Sequence, residues 1–244
     1  MKIDVLKISF DRNGKDEVIS PALIISNDQR VLVDCGYPGF LSLVEKALQE
    51  KSESLQNITR IIITHHDVDH IGALHEIKTQ YPHIRIAATA EEAAYINGTK
   101  KFIRLQQAEA LQESLPVDKK AAGEAFQQFL KTLKPVTVDN ILETGEEIPF
   151  LPGVRVIHTP GHLPGHISLF IEKEKTLIAG DALVVSNGTL DLANPQYTVD
   201  MAAALDSVKA IANLQPEKLI CFHGGLVENN MAEQLKALLT RYGQ

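Results

Sequence analysis

Arg60-Ile61-Ile62-Ile63-Thr64-His65-His66-Asp67-Val68-Asp69-His70 joins two kinds of sequence. Its first half is a continuous apolar, β-branched run, the pattern of a strand covered on both faces. A cluster of histidines and aspartates begins where the run ends. After it, Ile71, Leu74 and Ile77 recur at helical spacing until Tyr81-Pro82 closes the segment, so the cluster is expected on a strand-to-helix loop. In an extended stretch residues two apart share a face. His65, Asp67 and Asp69 are therefore expected to point together, His70 to turn in from the helix start and His66 to point away. That spacing suits two adjacent metals. The helix N-terminus behind Asp69 and His70 favours a carboxylate there by roughly 0.3–1 kcal/mol.

Upstream, Lys2 to Phe10 alternates with one slip at Val5-Leu6 and reads as a bulged strand broken at Asp11, Asn13 and Gly14. Glu17 to Ser26 and Arg30 to Asp34 are further strand-like runs, and Phe40 to Gln49 is patterned as a helix. Downstream, Ile84 to Ala88 resumes as a strand and Glu91 to Ile96 as a short helix. Gly98 opens a helical insertion running to about residue 135. Two stripes, Phe102, Leu105, Ala108, Leu111 and Ala122, Ala125, Phe126, Phe129, Leu130, Leu133, predict two amphipathic helices parted near Pro116. They either pad the core or form a lid. After Pro135 come strand-like Val136 to Leu142, Glu147 to Phe150, Val154 to His158, Ile167 to Glu172 and Thr176 to Ala179. Helix-like Val199 to Asn213, strand-like Lys218 to Phe222 and helix-like Glu228 to Tyr242 complete the order. It predicts an α/β fold of two sheets between helical layers.

At 244 residues, with 44% hydrophobic and 23% charged residues, the chain has the size and composition of one globular domain, 1–244. A net charge of −7 argues against a nucleic-acid partner, because such surfaces cluster Lys and Arg. No apolar run reaches the roughly 18 residues of a membrane span, so no membrane partner and a cytoplasmic location are expected. Cys35 and Cys221 form no metal-type pair, and Cys221 reads as a buried thiol.

Of nine histidines, six fall in three places: His65, His66, His70; then His162 and His166; then His223. Asp67, Asp69 and Asp181 accompany them, and imidazole mixed with carboxylate suits zinc, iron or manganese. Thr159-Pro160-Gly161-His162-Leu163-Pro164-Gly165-His166 holds two Pro-Gly pairs that restrict the backbone around His162. Ala179-Gly180-Asp181 and Cys221-Phe222-His223-Gly224-Gly225 each put one metal-type residue at a strand end. His75 and His83 read as surface or packing residues, and His158 as a strand-end packing residue.

Together these elements resemble the metallo-β-lactamase superfamily over most of the chain. Its T-H-x-H-x-D-H, P-G-H, G-D and x-H-G elements occur in order as Thr64 to His70, Pro160 to His162, Gly180-Asp181 and Phe222 to Gly224. Val33-Asp34-Cys35-Gly36 is similar to its D-x-G, where the aspartate supports the site from behind the ligands. The resemblance implies a four-layer αββα sandwich. It also implies one metal on His65, Asp67 and His162, a second on Asp69, His70 and His223, and Asp181 between them, with His166 structural. Asp67 departs from the motif, standing where the family has its second histidine. A carboxylate there is a harder donor, which moves preference toward iron or manganese or weakens that site.

The resemblance further implies a metallo-hydrolase, binuclear, with two divalent ions, zinc foremost and iron or manganese as alternatives. A metal-bound hydroxide would attack a small-molecule ester, thioester or lactone, with Asp69 orienting the water or carrying its proton. The absence of a tyrosine two residues past Asp181 counts slightly against lactones. The alternatives are a single-iron oxygenase of the persulfide-dioxygenase type, drawing on His65, His162 and Asp181, and a metal-binding protein of the same fold without chemistry.

Overall fold

The computed structural model describes residues 1–12 and 14–243; Asn13, one of the expected strand breakers, lies outside them. The first half contains β1 (Lys2–Val5), the hairpin β2 (Ile8–Arg12) and β3 (Lys15–Ile19), β4 (Ala22–Ser26) and β5 (Gln29–Val33). Then come α1 (Leu41–Gln49), β6 (Arg60–Ile62), α2 (Val68–Ile71), α3 (Leu74–Gln80), β7 (Arg85–Thr89) and α4 (Ala90–Ile96). The insertion supplies α5 (Ile103–Gln112) and α6 (Val117–Leu130), and β8 (Asn140–Leu142) comes after it. The second half contains β9 (Val154–His158), β10 (Ile167–Ile171), β11 (Thr176–Gly180), β12 (Val184–Ser186) and β13 (Thr189–Asp191). It ends with α7 (Met201–Asn213), β14 (Lys218–Cys221), β15 (Gly225–Val227) and α8 (Met231–Arg241).

Among the described residues, the strands form a six-stranded sheet ordered β1-β4-β5-β6-β7-β8 and a five-stranded sheet ordered β15-β14-β11-β10-β9. β5 through β8 pair in parallel. β11 pairs in parallel with β14, while its other neighbour β10 is antiparallel. The alternation of strand side chains builds the layers. Leu23, Leu32 and Ile61 pack outward against Val44 and Leu48 of α1 and Leu74 and Ile77 of α3. Their neighbours Ile24, Val31 and Ile62 face Val156, Leu169 and Ile220 of the other sheet. On that sheet's outer face, Leu177 and Leu219 meet Val208 and Ile211 of α7 and Leu235 and Leu238 of α8. The order is helix, sheet, sheet, helix, as expected. Burying both faces of Arg60–Ile62 explains its unbroken apolar run.

Several expectations are corrected. The slip at Val5-Leu6 separates β1 and β2, which lie in different sheets, and β2 runs on through Asp11 to Arg12. The run from Glu17 to Ser26 is likewise two strands, parted at Ser20-Pro21. Helix α2 starts at Val68, so the extended segment ends at Asp67. The insertion's stripes enter the core only in part: Leu105 and Leu130 are buried and Phe102 and Leu133 pack against the core, whereas Leu111 is 58% exposed and Phe126 is exposed. Within α5 only the first turn, with Arg104 and Leu105, reaches the interior. No helix among the described residues is long and apolar enough to cross a membrane.

Candidate metal centre

The loops leaving β5, β6, β9, β11 and β14 meet at one end of the sandwich, and all seven expected metal ligands lie there. His65, Asp67 and His162 form one triad of buried groups whose ligand atoms lie within 4.8 Å of one another. Asp69, His70 and His223 form a second, more open triad, and Asp181 joins His65 and His70 in a third grouping between them. Asp181 Oδ2 is 3.6 Å from His162 Nε2 and 3.7 Å from His223 Nε2, and its Oδ1 is 3.4 Å from His70 Nε2.

The local backbone explains the division. Asp67 is the extended residue capping α2, so its carboxylate stays on the side of His65. Asp69 lies one step into the helix and turns with His70 toward His223, 3.0 Å from its Nε2. Sharing a face with His65 and Asp67 in an extended strand, the expectation for Asp69, is therefore not what the chain does.

Asp34 supports this loop. Its Oδ2 accepts from His70 Nδ1 at 2.8 Å and from the Thr64 hydroxyl at 2.8 Å, while Oδ1 accepts from the Thr64 amide at 2.9 Å. This fixes His70 with Nε2 toward the cluster. Asp34 itself sits at φ 62°, a left-handed backbone costly for a non-glycine residue and typical of functional turns. His166 is structural, as the resemblance implied: its Nδ1 pairs with the Thr159 hydroxyl at 2.8 Å and its Nε2 accepts from the Asp181 amide at 3.0 Å. Gly180, at φ 54°, is required beside it, because a Cβ there would lie 2.7 Å from His166 Nε2.

His66 points away from the cluster. It stacks on Tyr95 with ring centroids 3.9 Å apart, and its Nδ1 donates to buried Glu92 at 2.6 Å. His83 and His158 are exposed and His75 is half-buried, and both thiols are buried. Burial, with the charge of Asp181, pushes the Cys221 thiol up to about 12.

Arg104 is the functional-site residue that sequence reasoning missed. Its Nε donates to Asp67 Oδ1 at 2.8 Å and its Nη2 to Oδ2 at 2.7 Å, with Nη1 held by Gln107 Oε1 at 3.1 Å. His162 Nε2 lies 2.9 Å from Asp67 Oδ2 and 3.2 Å from Arg104 Nη2. That nitrogen can donate to the first or accept from the second, not both at once. The signal for Arg104 was thin: one arginine between apolar Ile103 and Leu105 on a surface-patterned helix.

Charge follows the same division. Burial opposes ionisation of Asp67, but the hydrogen bond with His162, the nearby His65 and the Arg104 charge hold it well below the usual carboxylate range. Burial, with the nearby His70, keeps His65 well below the usual imidazole value. Burial also disfavours a charged His70, yet Asp34, Asp181 and Asp69 outweigh it and raise its pKa; Asp181 and Asp69 do the same to His223.

Whether a cation fits can be judged from atoms left without partners. His65 Nε2, His70 Nε2 and Asp181 Oδ1 are buried with no hydrogen-bond partner among the described residues, and these three residues form one grouping. Buried polar atoms are rarely left so. Lone pairs of two imidazoles and a carboxylate aimed at one another are what a divalent metal satisfies. Asp69, His70, Asp181 and His223 fit such an ion by donor type.

The chain matches the metallo-beta-lactamase superfamily over residues 15–223. Among curated proteins it is 29% identical over 230 residues to a probable metallo-hydrolase, YflN, of Bacillus subtilis (strain 168), covering 86% of this chain and 81% of that one. It is 35% identical over 119 residues to an N-acyl homoserine lactonase of a Bacillus species, covering 45% of this chain and 46% of that one. A metallo-beta-lactamase family protein from Thermus thermophilus superposes with a TM-score of 0.75 at 22% identity, over 99% of this chain and 79% of that chain. Its fold and the match across most of its length agree: this chain belongs to the metallo-beta-lactamase superfamily.

Proposed function

We propose that this chain is a metal-dependent hydrolase of a small ester, thioester or lactone, with zinc as the foremost metal and a cytoplasmic site of action. The observation carrying this reading is the convergence of buried, unpartnered His65 Nε2, His70 Nε2 and Asp181 Oδ1 beside the more open triad Asp69, His70 and His223. The hydrolase and lactonase names of the relatives support the reaction class.

A bound divalent ion supplies a Lewis acid for the carbonyl and lowers the pKa of water beside it. The chain's own residues do the rest. Asp69 and His223 are the accessible members of the cluster, so the reacting carbonyl approaches from their side. Asp69, 3.0 Å from His223 Nε2, orients the attacking water and takes up its proton on the carboxylate. Asp34 keeps His70 in one tautomer and orientation. His166 and Gly180 fix the backbone at Asp181.

The single-iron oxygenase reading is less well supported. It draws on His65, His162 and Asp181, and the Arg104 guanidinium lies 3.2 Å from His162 Nε2 in that half of the cluster. A panel of esters, thioesters and lactones assayed before and after chelation, with oxygen consumption followed on a thiol persulfide, tests the reading. Hydrolysis that chelation removes and metal restores is expected. Persulfide-dependent oxygen uptake without hydrolysis would overturn it.

A further inference from the structure

We propose that Arg104 is the resident cation of the His65, Asp67, His162 half of the centre. The chain then holds one tightly bound metal, on Asp69, His70, Asp181 and His223, and a second enters only when Arg104 leaves Asp67. This rests on the metal-centre reading above and specifies how its two halves are filled.

Asp67 Oδ2 is the oxygen nearest both neighbouring imidazoles, 2.9 Å from His162 Nε2 and 3.6 Å from His65 Nε2. It is also the oxygen that takes Arg104 Nη2 at 2.7 Å and Nε at 3.0 Å, while Oδ1 takes Nε at 2.8 Å. A metal on His65, Asp67 and His162 would therefore compete with the guanidinium for a shared lone-pair region. Arg104 cannot yield by losing a proton, because a guanidinium stays charged in proteins. Nor does it have another counter-charge nearby: among the described residues Asp67 is its only acidic partner within 4 Å, and Arg104 is buried. A metal that took Asp67 would strand a buried cation, which is strongly unfavourable.

Arg104 is also held in place. The ring of His66 stacks on Tyr95 and, at 5.9 Å, on Phe102, the residue before α5. With Nδ1 donating to Glu92, its Nε2 is left to accept from the Ile103 amide at 3.4 Å. His66 thus pins the first turn of α5, which carries Arg104, and the Tyr197 ring lies 5.8 Å from the guanidinium carbon. In the other half, Asp69 and Asp181 pair within 4 Å only with histidines among the described residues. Two carboxylates with no arginine or lysine within 4 Å favour the metal there.

The test is occupancy, not turnover. The full chain is freed of metal by chelation, titrated with zinc against a chelating dye, desalted and analysed for bound zinc by mass spectrometry. Wild type is expected to hold one tight zinc, with a second at least about a hundredfold weaker. Arg104→Gln is expected to tighten the second by about that factor, with circular dichroism reporting an intact fold. Two zinc ions of comparable affinity in wild type would overturn the inference without any variant, as would a folded Arg104→Gln with unchanged second affinity. Failure of both proteins to bind zinc would overturn the metal-centre reading itself. A chain that holds one tight zinc but hydrolyses nothing would support the inference and overturn the hydrolase assignment alone.

Discussion

The two halves of the metal centre have the same donors, two imidazoles and one carboxylate each, and opposite surroundings. His65, Asp67 and His162 are buried beneath the first turn of α5, and their carboxylate is already paired with Arg104. Asp69 and His223 are partly open around buried His70, they share Asp181, and Asp34 lies behind His70; among the described residues neither Asp69 nor Asp181 has an arginine or lysine within 4 Å. Donor type alone therefore does not separate the two halves. Under the proposal above, the charge already present at each decides where a metal binds.

The largest effect comes from removing what the halves share. Asp181→Ala is expected to bring hydrolysis to background and strip tightly bound metal. Full turnover with full metal content would break the assignment of Asp181 to the centre. A paired comparison sharpens the asymmetry: His223→Ala loses the tight metal, whereas His162→Ala keeps it, both read by metal analysis of desalted protein. Equal loss in the two variants would make the halves equivalent. Next in size is Asp34→Asn, which weakens the grip on His70 and is expected to lower metal affinity by about 10- to 100-fold, measured by dye competition.

Asp67→His, which restores the family's usual residue, has the smallest expected effect on the tight metal and tells the two halves apart. Alone it removes the counter-charge of buried Arg104 and is expected to destabilise the fold by about 3–5 kcal/mol in denaturant unfolding. Combined with Arg104→Gln, it is expected to recover that stability and to bind a second zinc. An unaltered unfolding midpoint in Asp67→His would show that Arg104 does not depend on Asp67.

The layers were legible because burial on both faces leaves a mark that local sequence carries: Ile61-Ile62-Ile63 has no polar face to offer. The loop cluster was legible because few other roles place histidines and aspartates at successive strand ends. Three things were not. Where helix α2 begins, one residue past Asp67, decides which half Asp69 joins, and hydrophobic periodicity does not set helix starts that sharply. The short strands β12, β13 and β15 have three residues each, too few for a period to show. Arg104 was hidden for a different reason. An apolar stripe shows that a helix face is covered, not what covers it; on α5 the stripe's far end at Leu111 is exposed while its first turn enters the metal centre.

Recording zinc occupancy and hydrolysis together tests the central claim most directly. The metal-free chain is titrated with zinc while turnover of its best panel substrate is recorded at each step. Hydrolysis is expected to rise in proportion to the first equivalent and then level off, because the half formed by Asp69, His70, Asp181 and His223 fills first and carries the chemistry. Turnover that stays flat through the first equivalent and appears only with the second, or that is undiminished in metal-free protein, would contradict the account.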